Sequence, residues 1–151
     1  MAHPQIAIFA RLAKENSRPT RLLAGQKTYL SRTMHDVRYD PVNDELLVTN
    51  PFARALLIFR GGADGEEAPV RIIQGSNTML GDPKRYAGGP DRLEVDPVHN
   101  ELFVPDGSRV LVYDRRANGN VAPIRVLEGP DTLLDDEGTL AVDPIHNVFA
   151  V

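Results

Sequence analysis

Short apolar runs, often alternating with polar positions and cut by turn residues, recur along this chain as two interleaved phrases. Asp40-Pro41-Val42-Asn43-Asp44-Glu45-Leu46-Leu47-Val48 returns as Asp96-Pro97-Val98-His99-Asn100-Glu101-Leu102-Phe103-Val104. It returns again as Asp143-Pro144-Ile145-His146-Asn147-Val148-Phe149-Ala150-Val151. The second phrase is Arg21-Leu22-Leu23-Ala24-Gly25, then Arg71-Ile72-Ile73-Gln74-Gly75, then Arg125-Val126-Leu127-Glu128-Gly129. The closing glycines stand roughly fifty residues apart, the length of a four-stranded propeller blade rather than of a helical repeat.

Within each repeat the pattern predicts four strands, A to D, joined as an antiparallel meander. Strand A covers Val37-Arg38-Tyr39, Leu93-Glu94-Val95 and Leu140-Ala141-Val142. Strand B covers Leu46-Leu47-Val48, Leu102-Phe103-Val104 and Val148-Phe149-Ala150. Strand C covers Ile6-Ala7-Ile8-Phe9, Leu56-Leu57-Ile58-Phe59 and Val110-Leu111-Val112-Tyr113, and strand D is the arginine-led phrase. No segment calls for a helix. In the A–B turn, Asp accepts N–H groups ahead of it, Pro presets φ, and Asn100 or Asn147 tolerates a left-handed exit. Ala63-Asp64-Gly65 and Ala117-Asn118-Gly119 signal the C–D hairpins. Pro19, Pro69 and Pro123 precede strand D, where a missing donor suits an edge.

A third echo follows strand D: Gly25-x-x-Thr28-x-Leu30, Gly75-x-x-Thr78-x-Leu80 and Gly129-x-x-Thr132-x-Leu134. The middle D–A connection carries about six extra residues within 81–90, read either as a tolerated surface insertion or as a functional loop. The order of the runs is C-D, A-B-C-D, A-B-C-D, A-B. One all-β domain therefore divides into a half-blade (1–33), two blades (34–80 and 81–134) and a second half-blade (135–151). Three blade equivalents are fewer than the four to eight of known propellers. A ring is expected to be completed by a second copy, as a homodimer, or by other blades of a larger propeller. Two details follow. The half-blades are expected to expose Ile6, Ile8, Leu22 and Leu23 on one side and Leu140, Val142 and Phe149 on the other. Arg38 and Glu94, at one position of adjacent inner strands, are expected to form an ion pair.

Composition changes this picture little. A length of 151 residues implies one domain, and 42% hydrophobic with 25% charged residues implies a packed, soluble one. Net charge is −4 with no basic stripe, so no nucleic-acid partner is expected. No cysteine is present, which removes thiolate, zinc-knuckle and disulfide chemistry. No signal peptide or membrane insertion is expected, and the compartment stays unspecified.

Several runs resemble NHL-type six-bladed propellers and the related gluconolactonase-like group. Leu140-Ala141-Val142-Asp143-Pro144 is similar to their strand A, Leu102-Phe103-Val104-Pro105-Asp106 to their strand B, and Arg109-Val110-Leu111-Val112-Tyr113 to their strand C. The resemblance spans nearly the whole chain and implies blade type rather than activity. In the enzymes of that group a metal lies near the axis, where strand A begins and strand B leaves. The matching positions are His35 with Asp36, Asp91 with Arg92, Gly138 with Thr139, and Asn50 and Asp106. Carboxylates and amides suit a hard divalent cation such as Ca²⁺. Arg92 brings a cation of its own, however, and Gly138 brings no side chain. No catalytic residue and no cofactor are therefore assigned.

The expected ligand-binding rim comprises His35, Asp36, Asn50, Asp91, Arg92 and Asp106, overhung by Lys84, Arg85 and Tyr86. His99 and His146 read as turn residues on the opposite rim, and His3 as part of a loose terminus. Asp131, Asp135, Asp136 and Glu137 match no standard Ca²⁺ loop and read as a solvated face. Arg54 and Arg109 are expected to pair with rim carboxylates; Arg21, Arg71 and Arg125 are expected to guard the outer strand. No nucleophile elbow, phosphate loop or zinc helix occurs. The function expected is a non-enzymatic scaffold binding a protein or small ligand on the D–A/B–C rim, or an assembling propeller fragment without activity of its own. A metal-dependent lactonase-like hydrolase is the alternative.

Overall fold

The Asp-Pro and Gly-containing turns reverse the chain at regular intervals, and the runs between them pair with their sequence neighbours. The computed structural model describes residues 4–81, 89–135 and 138–151. Its strands are β1 (Gln5–Ile8), β2 (Arg21–Ala24), β3 (Val37–Asp40), β4 (Glu45–Asn50), β5 (Ala55–Arg60) and β6 (Arg71–Gln74). They continue as β7 (Glu94–Asp96), β8 (Glu101–Pro105), β9 (Arg109–Asp114), β10 (Arg125–Glu128), β11 (Ala141–Asp143) and β12 (Val148–Ala150). Four open antiparallel sheets result: the hairpin β1-β2, the meanders β3-β4-β5-β6 and β7-β8-β9-β10, and the hairpin β11-β12. Strand positions and order agree with the repeat pattern to within about one residue.

The A–B turns owe their geometry to one aspartate each. Asp40 Oδ1 accepts the N–H of Val42 and Asn43 at 2.9 and 3.1 Å. Asp96 Oδ1 accepts those of Val98 and His99, both at 2.9 Å, and Asp143 repeats the bonds with Ile145 and His146. The residue leaving each turn is left-handed: Asp44, Asn100 and Asn147 have φ of 53°, 59° and 56°. Asp and Asn enter that region more readily than most residues.

The Gly-x-x-Thr echo is a single 3₁₀ turn, at Gln26–Thr28, Ser76–Thr78 and Pro130–Thr132. Each is three residues long, and the expectation of an all-β chain holds among the described residues. In each, the threonine hydroxyl donates to the glycine carbonyl at 2.6–2.7 Å and accepts the N–H of the following leucine. The glycines need φ of 115°, 133° and 116°, which side-chain-bearing residues rarely adopt.

Cores lie between successive sheets rather than within one. Leu23 and Leu30 pack against Val48, Leu57 and Phe59. Leu47, Ile58 and Ile73 meet Leu93, Leu102, Leu111 and Tyr113, and Phe103, Val110 and Val112 meet Leu140, Val142 and Phe149. Leu23 and Leu140 are therefore buried, contrary to the expectation that they lie bare on the flanking hairpins. Ile6, Ile8, Val142 and Phe149 are half-buried and Leu22 exposed.

Strands β2 and β6 are each also clasped by the C–D turn of the next sheet. Gly65 donates its N–H to Leu22 at 3.0 Å and accepts that of Ala24 at 2.9 Å. Gly119 does the same with Ile72 and Gln74, at 2.6 and 3.1 Å. Asp64 and Asn118 accept the N–H groups of Leu22 and Ile72. Glu66 and Asn120 cap the 3₁₀ turns, accepting from Gln26 and Asn77, each at 2.7 Å. Arg21 donates to the carbonyls of Gly61 and Ala63, and Arg71 to that of Arg115.

Candidate ligand-binding rim

The segments that lead into β3 and β7 run side by side, and their polar residues knit together. His35 Nδ1 lies 2.9 Å from Asp91 Oδ1, both side chains about half exposed. Arg92 donates to the His35 carbonyl at 2.9 Å, and Leu93 donates its N–H to Asp36 Oδ2 at 3.1 Å. Asp36 also receives Arg38 at 3.0 Å, and Arg38 Nε approaches Glu94 Oε2 at 3.3 Å. The expected Arg38–Glu94 pair is thus present. His35, Asp36, Asp91 and Arg92 form one cluster whose polar groups are engaged in joining two sheets.

Asn50 and Asp106 stand apart from that cluster, each holding its own D–A connection. Asn50 accepts from the Ser31 hydroxyl at 2.7 Å and donates its amide to the Tyr29 carbonyl at 3.2 Å. At the second repeat position, Asp106 has no N–H₂ to give. Arg109 supplies the donor instead, bridging Asp106 Oδ2 at 2.8 Å and the Met79 carbonyl at 2.7 Å. Gly81 stands where Ser31 does and brings no hydroxyl, and the buried Asp106 Oδ1 has no hydrogen-bond partner among the described residues. Tyr113, buried nearby, donates to the Thr78 carbonyl. Burial first, and the Asp106 charge second, push its phenol well above the ordinary tyrosine range.

Arg109 pairs with a rim carboxylate as expected. Arg54 does not: among the described residues its side chain has no ion-pair partner, and it follows a turn in which its own φ is 49°. Both arginines border a feature that the motifs did not reveal. An open pocket of about 500 Å³ lies between the B–C turn at Ala53 and Arg54, the 3₁₀ turn after β6, and Arg109, with Met79 and Leu80 along it. Gln74 braces one wall by donating to the Ala53 carbonyl at 2.8 Å. The one sequence signal available was the recurrence of arginine at the start of strand C.

Gly138, Thr139, Asp131 and Asp135 belong to the exposed third D–A connection. Lys84, Arg85, Tyr86, Asp136, Glu137 and His3 lie outside the described residues. Among the described residues no three His, Asp or Glu side chains converge in a way that would hold a metal ion. His99 and His146 are turn residues, with Nδ1 2.7 and 2.6 Å from Asp96 and Asp143. Burial works against the Asp96 charge, but the N–H groups of His99 and Val98 and the His99 imidazole outweigh it, leaving its carboxyl below the usual range. Among the described residues no helix is long and apolar enough to cross a membrane.

No protein-family model matches the chain, and no curated protein matches it.

Proposed function

We propose that this chain is a non-enzymatic, propeller-type scaffold that binds a small anionic ligand, or an acidic side chain of a partner, on the rim made by its D–A and B–C connections. The pocket beside Arg54 and Arg109 carries this reading. It is concave, part apolar along Met79 and Leu80, and edged by Arg109, already joined to Asp106, and by Arg54, whose forked donor has no ion-pair partner among the described residues and suits carboxylate or phosphate. The neighbouring cluster of His35, Asp36, Asp91 and Arg92 is a rigid shoulder to that rim, since its polar groups already satisfy one another. The NHL-like character of the strands supports the scaffold reading without naming a ligand.

Thermal unfolding of the chain against a panel of small carboxylates and phosphates tests the proposal. A binder present at a hundred times its Kd stabilises by about 2.7 kcal/mol, which corresponds to roughly 5–10 °C for a domain of this size. The rise should vanish in Arg54→Asn, a substitution that keeps the left-handed turn comfortable. No rise across the panel, or an equal rise in the variant, would count against it. A rise with Ca²⁺ that EDTA reverses would favour the hydrolase alternative.

A further inference from the structure

Residues 9–25 align without a gap with 59–75 and 113–129, so each position of the first hairpin has two counterparts whose surroundings are known. The comparison exposes one unmet half-junction at each end of the row of sheets. At the level of strand D, Leu23 and Ile73 are 0% exposed beneath Gly65 and Gly119, whereas Leu127 is 40% exposed. At the end of strand C, Phe59 and Tyr113 are 0% exposed beside Leu46 and Leu102, whereas Phe9 is 51% exposed and Phe149, at the position of Leu46 and Leu102, is only half-buried.

The turn that β10 lacks is present in the chain, on the β1-β2 hairpin. Glu15 stands at the position of Gly65 and Gly119 and already holds their left-handed backbone, with φ of 50° beside 61° and 79°. Asn16 stands where Glu66 and Asn120 cap the preceding 3₁₀ turn, and so faces the N–H of Asp131. The Arg11 carbonyl stands where those of Gly61 and Arg115 receive Arg21 and Arg71, and so awaits Arg125. One position departs from the pattern. Lys14 replaces Asp64 and Asn118 and offers Val126 no side-chain acceptor, so this junction is one bond poorer.

The remaining edges match in the same way. Strand β4 pairs with β5, and β8 with β9, in a register that places Leu46 opposite Phe59 and Leu102 opposite Tyr113. Among the described strands β12 pairs with β11 alone and β1 with β2 alone. Carried to these edges, the same register sets Phe149 against Phe9, Ala150 against Ile8 and Val151 against Ala7. The two hairpins stand at opposite ends of the row, with two complete sheets and three cores between them.

We propose that a second copy of this chain supplies the missing partner: its β1-β2 hairpin pairs with β12 and clasps β10, and the relation is reciprocal, so that two copies joined head to tail leave no strand edge of this kind open. The inference is independent of the rim reading, since it uses none of the same residues.

The absence of cysteine allows a direct test. Facing residues of an antiparallel pair have Cα atoms about 4.5–5.5 Å apart, within reach of a disulfide. The double variant Ile8→Cys/Ala150→Cys, oxidised, should run at twice the 16.6 kDa chain mass on a non-reducing gel and return to one chain on reduction. Ile8→Cys/Ala141→Cys, on a strand away from that edge, should stay uncross-linked. By light scattering the parent chain should show about twice the chain mass. Phe9→Glu, already half exposed in the single chain and so compatible with its folding, should halve that mass with unchanged circular dichroism. A parent that scatters as one chain, an 8/150 bridge that closes within one chain, longer polymers, or a Phe9→Glu protein that stays paired would each overturn the proposal.

Discussion

Strands β6 and β10 carry nearly the same residues, Arg71-Ile72-Ile73-Gln74 and Arg125-Val126-Leu127-Glu128, and both pair with the strand before them in the same register. Their environments differ. Ile73 is buried and Arg71 is held in a network, with Glu45 accepting from both Arg71 and Arg115 at 2.8–2.9 Å. Every residue of β10 is exposed, and its arginine grips Glu101, at 2.5 and 2.7 Å, with its guanidinium 6.0 Å from the Phe103 ring centre. What differs is the turn beyond the strand. Asn118, Gly119 and Asn120 clasp β6, and among the described residues nothing clasps β10. Burial here belongs to the junction between sheets, and strand propensity alone does not confer it.

The comparison can be broken most strongly at the buried leucine-type position. Ile73→Ala is expected to lose about 4 kcal/mol, the range for emptying a tight core site. Leu127→Ala should lose about 1 kcal/mol in dilute protein and approach the larger value only where copies pair. Urea unfolding of both variants at two protein concentrations distinguishes these outcomes.

The next largest difference concerns charge. Glu45→Ala leaves two largely buried guanidinium groups unpaired and is expected to cost about 3 kcal/mol. Glu101→Ala frees an arginine that is more than half exposed, and should cost under about 1 kcal/mol. Equal costs in chemical denaturation would mean that the two arginines sit in equivalent surroundings after all. A smaller effect, about 1 kcal/mol, is expected for Arg38→Ala, which removes the partly buried contact to Asp36 and Glu94 across two sheets.

The smallest effect is one of pH. Asp96 and Asp143 make the same turn, and both carboxyls titrate below their ordinary range. A carboxyl lowered by folding contributes stability that is complete above its unfolded pKa and is lost as pH falls through its folded one. His99→Ala should therefore destabilise near neutrality, and the gap to the parent should close in acid. His146→Ala should do less, because Asp143 is more exposed than Asp96. Stability curves between pH 2 and 7 would show it.

Much of this fold was legible because its turns are chemical. Asp-Pro with Asn or Asp two or three residues on, and Gly in the C–D hairpins, fix where the chain reverses, and alternation fixes which strands follow. The Arg38–Glu94 pair was legible because adjacent inner strands carry one repeat position side by side. The clasp was not. Asp64, Glu66, Asn118 and Asn120 look like ordinary turn residues, and their partners lie about forty residues away, beyond any local period. The 3₁₀ turns were seen only as an echo, since Tyr29, Met79 and Leu133 adopt φ near 60° without being glycine or asparagine. The rim set divided for a related reason. His35, Asp36, Asp91 and Arg92 are neighbours through sheet packing, whereas Asn50 and Asp106 each look back to their own D–A connection. The pocket beside Arg54 depends on the spacing between two sheets, which no single repeat encodes.

The most direct measurement is amide hydrogen exchange at Glu128, compared with Gln74, as protein concentration is raised. Gln74 donates to Gly119 within the chain and should be protected equally at every concentration. Glu128 holds the same position with no turn beyond it, so its exchange should be fast in dilute protein and slow toward that of Gln74 as the Glu15 carbonyl of a second copy arrives. Exchange at Glu128 that is equally fast at all concentrations, or already as slow as at Gln74 in dilute protein, would contradict this.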